Sequence, residues 1–343
     1  MSVKPKILRL GRVEFAHQAW ERFARVAEIV DMDATNREDF IHDLRTKYQD
    51  IIGVSRSLHT LPQTGRFDEE LMAHFPPSCG AIANCGAGYD DIDTAALTKR
   101  NIQLSNIPSA VDASTADTAM FLVLSALRRF QQGHQGLLEG KWPTSKCAGA
   151  PLGHDPAGKT FGILGMGGIG SEIRDRARGF GFGKIVYYNR ARLSPELEGG
   201  AEYVSFEKLL SQSDIISISI PLNPHTRHLI NRETISQMKD GVVLVNTARG
   251  GIIDEEAFVD AVKSGKIAAA GLDVYENEPM ANEEVLRLEN VTTVPHMGSH
   301  TYETIQAMEE CVIDNLEAFL RTGKVEGLVP EQHDVKFISE GVL

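Results

Sequence analysis

Residues Gly165-Met166-Gly167-Gly168-Ile169-Gly170 spell G-x-G-x-x-G, directly after the strand-like run Thr160–Leu164 and at the opening of a helical pattern. In that context the hexapeptide predicts a dinucleotide pyrophosphate site. Gly165 permits the tight turn, Gly167 lets the backbone approach the phosphates, and Gly170 allows helix and strand to pack closely. Gly168 and Ile169 open the helix whose N-terminus faces the charge. The end of the following strand selects the cofactor, because an acidic residue there bonds the ribose hydroxyls of NAD. Here Asn189 stands 19 residues after Gly170, followed by Arg190 and Arg192. No carboxylate repels a 2′-phosphate, and both guanidinium groups can pair with one through charge-assisted bonds. The expected cofactor is therefore NADPH. NAD is the alternative, if both arginines are ordinary solvated charges.

Three further segments each lie just past a predicted strand, where α/β folds present ligand-binding loops. They are Asn246-Thr247-Ala248-Arg249-Gly250, Gly271–Pro279 with Glu276 and Glu278, and Pro295-His296-Met297-Gly298-Ser299. A guanidinium, carboxylates and an imidazole suit the reduction of a 2-oxo acid. Hydride addition to the carbonyl creates an alkoxide, which needs a positive group and a proton donor. Arginine grips a carboxylate and carbonyl in a fixed fork and stays charged. Histidine gives a proton near neutral pH, and an adjacent glutamate orients the ring. Backbone N–H groups in Gly86-Ala87-Gly88 can form an anion nest. Each residue also has a plainer reading: Arg249 as an ion-pair partner, Asp273 as a brace for its loop, Thr115 as a hydroxyl bonding its own helix. His225 and His228 lack a third ligand of clear geometry, so no metal site is expected.

Together with GMGGIG, with CGAGYDDID at 85–93 and with STADTAMFLVL at 114–124, these segments resemble the signature of the D-isomer-specific 2-hydroxyacid dehydrogenases. The resemblance runs from about residue 50 to about residue 325. Within that family the chain is most similar to NADPH-type glyoxylate/hydroxypyruvate reductases. The resemblance implies that His296 is the general acid/base, Glu278 (rather than Glu276, on motif register) its partner, and Arg249 the substrate-binding arginine. It places Thr247, Ala248 and Asp273 at the nicotinamide half of the cofactor, Pro221 and Thr226 at the adenosine half, and Thr115 and Gly298 against the cofactor. Gly86, Ala87 and Gly88 would receive the substrate carboxylate. It also implies a homodimer with the 113–150 segment as interface. Trp142 would then reach the partner's active site, a simple dimer or core contact being the alternative. Ser55-Arg56-Ser57 is expected to contact the substrate side chain.

The elements that must position these residues alternate between strand and helix. The first hundred residues offer strands at Lys6–Leu10, Glu28–Met32, Ile51–Ser55, Gly80–Asn84 and Ile102–Asn106, with helical periodicity over Glu14–Ala24 and Asp68–Phe75. A nearly unbroken apolar helix is predicted over Ala113–Glu139, with Arg128-Arg129 ending its apolar stretch at solvent. A Gly- and Pro-rich loop runs from Gly140 to Lys159. The second series has strands at Thr160–Leu164, Lys184–Tyr188, Ile215–Ile220, Val242–Asn246, Ala269–Asp273 and Val291–Val294. Its helices are Ile169–Phe180, Phe206–Gln212, Arg232–Met238 and Glu255–Ser264, before a final amphipathic helix Thr301–Arg321. The expected fold is α/β, with two doubly wound parallel-sheet domains and a cleft between them. Residues 1–112 plus 302–343 would form a flavodoxin-like substrate (lid) domain that closes over a Rossmann cofactor domain at 113–301.

Bulk properties narrow the function. A chain of 343 residues exceeds one comfortable core. Its net charge of −12 argues against nucleic-acid or anionic-membrane partners, which need a basic face. Four scattered cysteines, with no CxxC pair, suit a reducing compartment. No 18-residue apolar run, no signal-peptide core in MSVKPKILRLG and no peroxisomal address in EGVL are found, so the expected location is cytoplasmic. Two other functions fit less well. NAD-dependent oxidation of a D-2-hydroxy acid, as in phosphoglycerate dehydrogenases, is disfavoured by Asn189 and by the lack of a C-terminal regulatory domain. A weakly catalytic NAD(H)-sensing scaffold would be recognised by the absence of turnover.

Overall fold

The computed structural model describes residues 4–338 and Gly341. The first three residues of the N-terminal stretch, and all but Gly341 of the terminal EGVL, lie outside it. The chain divides into two compact units, Met1–Val111 with His300–Leu343, and Asp112–Ser299.

The first unit is built on five parallel strands: β1 (Lys6–Leu10), β2 (Glu28–Asp31), β3 (Ile51–Ser57), β4 (Ala81–Cys85) and β5 (Gln103–Ser105). Their order is β2-β1-β3-β4-β5, the flavodoxin-like winding. Both faces are covered, as near-continuous apolar strands require. Phe40, Leu44, Phe67, Leu71 and Leu97 fill one layer; Trp20, Phe23, Val312, Leu316 and Phe319 fill the other. The helix Tyr302–Thr322 packs on β4 and β3. It starts where the Thr301 side chain accepts the Thr304 N–H and stops at Gly323, in the left-handed region with φ 74°.

The second unit holds seven parallel strands: β6 (Thr160–Leu164), β7 (Lys184–Tyr188), β8 (Glu202–Tyr203), β9 (Ile215–Ile218), β10 (Val242–Asn246), β11 (Ile267–Leu272) and β12 (Val291–Thr293). Their order, β12-β11-β10-β9-β6-β7-β8, is the Rossmann winding, whose switch point lies between β6 and β9. The expected fold class of two doubly wound parallel-sheet domains is borne out.

Two local readings need correction. The helix expected over 113–139 is two helices, Asp112–Arg128 and Phe130–Leu138. Arg129 between them takes φ 59°, which ends the first helix. Arg129 also turns inward rather than to solvent, donating from Nη1 to the Ala268 carbonyl at 2.8 Å. Strand β8 went unread because two residues carry no periodicity; it joins the edge through the register Val186↔Glu202 and Tyr187↔Tyr203. No helix among the described residues is long and apolar enough to cross a membrane.

Candidate active site

The loop after β6 adopts the turn its glycines permit. Gly165 sits at φ 93°, and a methyl group on Gly170 would collide with the Gly165 carbonyl oxygen. The helix Gly168–Arg178 follows, with Gly167 as N-cap and no capping side chain. Its first N–H groups therefore remain for an anion. A side chain at Gly167 would meet nothing within 4 Å, so the cradle beside that backbone is open. Asn189 clamps this loop from both sides: its Oδ1 accepts the Met166 N–H at 2.6 Å and its Nδ2 donates to the Met166 carbonyl at 3.1 Å. The Asn189 amide is thus committed to the glycine loop, while Arg190 is exposed with no ion-pair partner among the described residues. Arg192 is already engaged: Nε and Nη2 reach Glu198 at 2.7 and 3.1 Å. Tyr187 also donates to Glu198, at 2.9 Å.

Thr226 closes the loop after β9, donating to the Pro221 carbonyl at 2.7 Å and accepting the Asn223 N–H at 2.8 Å. After β10, Thr247 is buried and its Oγ1 has no hydrogen-bond partner among the described residues. A buried hydroxyl without a partner is costly and suits a site that a polar ligand completes. With the open cradle at Gly167, this makes the second unit fit a dinucleotide.

Arg249 sits on the same loop, shaped by a residue that sequence reasoning missed. Asn246 is fully buried; its Oδ1 accepts the Ala248 N–H at 3.0 Å and its Nδ2 donates to the Arg249 carbonyl at 2.9 Å. Arg249 Nη1 donates to the Ala248 carbonyl at 2.8 Å. Gly250 must be glycine for another reason: a methyl there would collide with the main chain of Tyr275 and Glu276. That close approach packs the arginine loop against the loop carrying Glu278.

Glu278 and His296 meet. Glu278 Oε2 is 2.7 Å from His296 Nδ1, and Oε1 accepts the Tyr275 N–H at 2.9 Å. Burial alone would raise the Glu278 carboxyl. The His296 bond, the Tyr275 N–H and the charge of Arg249 outweigh it and hold the group below its ordinary value. An ionised carboxylate only accepts, so Nδ1 carries the proton of that bond. His296 Nε2 makes no hydrogen bond among the described residues. Glu276, the competing carboxylate, faces elsewhere, with Oε1 2.7 Å from His228 Nε2 and 3.3 Å from Arg227 Nη1.

His296 holds φ 52° with its N–H 2.7 Å from the Asp273 carbonyl. Asp273 is almost wholly buried. Its two side-chain oxygens accept the N–H groups of Met297 and, at 2.9 Å, Gly298. Asp273 therefore braces the histidine loop. Thr115, on the helix Asp112–Arg128, lies against Gly298, where an added methyl would meet both Thr115 and Asp273. Burial raises the Asp273 carboxyl despite those two N–H groups and the nearby His296.

In the first unit, Gly86-Ala87-Gly88 follows β4 at the carboxyl end of its sheet. Arg56 departs from expectation. It is fully buried, bonded to Asn84 and Asp91, and does not present itself to a substrate. No cluster of metal-binding side chains exists among the described residues.

The comparisons with known proteins agree with this architecture. The family model described as D-isomer specific 2-hydroxyacid dehydrogenase, NAD binding domain, matches residues 120–298. Glyoxylate reductase 1 of Saccharomyces cerevisiae is 48% identical over 336 residues, covering 96% of each chain. A crystal structure of a glyoxylate reductase from Paecilomyes thermophila superposes with a TM-score of 0.92 at 44% identity, covering 96% of this chain and 99% of that one. A Sinorhizobium meliloti NADPH-dependent glyoxylate/hydroxypyruvate reductase, in complex with NADP and malonate, gives a TM-score of 0.83 at 32% identity over 96% of this chain and 98% of that one. The chain belongs to the D-isomer-specific 2-hydroxyacid dehydrogenase family. It is an oxidoreductase with an NAD-binding Rossmann unit.

Proposed function

We propose that this enzyme reduces a small 2-oxo acid to the D-2-hydroxy acid, with NADPH as the preferred reductant. The observation that carries the reading is the 2.7 Å contact between Glu278 and His296, on a loop packed against that of Arg249. When bound, the cofactor supplies the hydride. Glu278 accepts the Nδ1–H and so orients the ring; in the doubly protonated imidazolium, Nε2–H gives its proton to the developing alkoxide and the ring is left neutral with its proton on Nδ1. Arg249 binds the carboxylate and carbonyl in its fork, and the N–H groups of the Gly86–Gly88 loop receive the substrate carboxylate. Thr247, with its orphaned hydroxyl, and Ala248, Gly298 and Thr115 would line the nicotinamide half. Pro221 and Thr226 would flank the adenosine half. Arg190 is the main contact for the 2′-phosphate.

Glyoxylate and hydroxypyruvate are the first candidate substrates, since they are named for the relatives above. Exposed apolar side chains at Phe121, Phe130, Leu137, Leu138 and Trp142 support the 113–150 segment as a homodimer face. Four unpaired thiols support a cytosolic location. Steady-state reduction of both acids, with NADPH and NADH in parallel, tests the reading. Turnover preferring NADPH is expected. Equal use of NADH would make the arginines surface charges, and no turnover across a 2-oxo acid panel would favour a scaffold.

A further inference from the structure

The loop Gly86-Ala87-Gly88 has an uneven hydrogen-bond pattern. All three of its carbonyl oxygens are engaged. Asn84 Nδ2 donates to those of Gly86 and Gly88 at 3.2 and 3.1 Å. Asn106 Nδ2 donates to that of Ala87 at 2.7 Å. The Ile107 N–H adds a second bond to Gly86 at 3.3 Å. The N–H groups of Ala87 and Gly88, by contrast, find no acceptor among the described residues.

The orientation of Asn84 is set by its strand neighbour. Arg56 and Asn84 face each other in register on β3 and β4, and both are buried. Arg56 Nη1 donates to Asn84 Oδ1 at 2.7 Å. A guanidinium has no acceptor, so the amide oxygen must face it and the amide nitrogen must face the loop. Arg56 is itself fixed by an ion pair with Asp91, six residues along from Cys85, and by the Phe67 ring, 5.0 Å from its Cζ.

We propose that Asn84, oriented by buried Arg56, and Asn106 form an amide clamp that turns the loop carbonyls inward and so makes Gly86–Gly88 selective for the anionic end of the substrate. The inference rests on the reading that this loop receives the substrate carboxylate. Asn84 and Asn106 are positioning residues: they act on the substrate only through the backbone they hold. With the clamp intact, an approaching carboxylate meets two N–H donors. With it released, carbonyl oxygens can rotate toward the anion and repel it.

The test compares Asn84→Asp, Asn106→Ala and Ala87→Pro with the native enzyme. The readouts are KM and kcat for glyoxylate with NADPH, inhibition by oxamate (a 2-oxo acid analogue that is not reduced) and KM for NADPH. Asn84→Asp keeps the side-chain size but removes the donors. It is expected to raise the glyoxylate KM and the oxamate Ki at least tenfold, while kcat and the NADPH KM stay within about threefold. Asn106→Ala, on a part-buried residue, should shift both constants the same way by less, and serves alone if Asn84→Asp does not fold. Ala87→Pro deletes a loop N–H and should also raise them. Raised constants in Ala87→Pro, with native values in both amide variants, would overturn the clamp and leave the loop assignment standing. Native values in Ala87→Pro would instead remove the loop assignment on which the clamp depends.

Discussion

Glu278 divides its two carboxylate oxygens between His296 Nδ1, at 2.7 Å, and the Tyr275 N–H, at 2.9 Å. One oxygen fixes the ring and the other fixes the carboxylate, so the dyad is anchored to the main chain of its own loop. Glu278→Gln replaces the charge with an amide that can present a donor to Nδ1 and favour the wrong tautomer. A kcat lower by about 10²-fold or more is expected in glyoxylate reduction, with the NADPH KM little changed.

The same carboxylate contributes to acid stability. Its folded-state pKa lies below the ordinary value of 4.5, so the unfolded chain binds its proton more readily. The contribution is fully present above 4.5 and is lost as pH falls through the depressed folded value. Thermal melts from pH 7 down to pH 3 should show the native enzyme losing more midpoint temperature below pH 4.5 than Glu278→Gln.

Cofactor choice should separate two arginines that look equivalent in sequence. Arg192 is paired with Glu198, whereas Arg190 has no such partner among the described residues. Arg190→Ala is expected to raise the NADPH KM by about 10- to 100-fold, the value of one charge-assisted bond, and to leave the NADH KM nearly unchanged. Arg192→Ala should have a smaller effect on NADPH. Parallel titrations of both variants with both cofactors check this.

Much of the site was legible because its chemistry is tied to short, ordered motifs. The glycine turn after β6 and the loops carrying Arg249, Glu278 and His296 all stood out as residue types placed just past strands. Motif register alone favours Glu278 over Glu276, and the fold agrees by sending Glu276 to His228 and Arg227. The buried amides were invisible. Asn84, Asn106 and Asn246 are neutral, common in turns and without a characteristic spacing; only tertiary hydrogen bonding shows that each sets a loop. Arg56 misled for the opposite reason. A charged residue at the end of a strand reads as a ligand contact, and nothing local reveals the burial beside Asp91 and Phe67. The break at Arg129 was also hidden, since a left-handed residue other than glycine leaves no compositional mark.

Asn246→Ala would leave the part-buried Ala248 N–H without its acceptor and take one of two donors from the Arg249 carbonyl, the Ile252 N–H at 3.3 Å being the other. A loss of about 1–3 kcal/mol in chemical denaturation is expected, with the glyoxylate KM rising as Arg249 loses its fixed loop.

Asp112 predicts a pH dependence of cofactor binding. Its carboxyl lies against Gly168, where a methyl group would collide with it. Burial, reinforced by the charge of Glu172, pushes it up to about 6. It is therefore neutral below that pH and negative above it, beside the helix that would face the diphosphate. NADH is the probe to use, because it lacks the 2′-phosphate that itself titrates near pH 6. Its Kd should rise between pH 5 and pH 7.5 in the native enzyme and stay flatter in Asp112→Asn. The raised pKa also means the native state is favoured below 3.8 and loses that advantage as pH climbs through 6. Asp112→Asn should accordingly melt higher than the native enzyme at pH 7.5, with a smaller gain at pH 5.

The central claim is that His296, held by Glu278, donates the proton that completes reduction of a 2-oxo acid. Its most direct test is kcat/KM for glyoxylate with NADPH at pH 7, measured for the native enzyme and for His296→Asn, with NADPH binding as the folding control. Turnover by the native enzyme and a loss of about 10²- to 10⁴-fold in the variant are predicted. A fully folded, cofactor-binding His296→Asn enzyme that keeps its activity within about threefold would contradict the account.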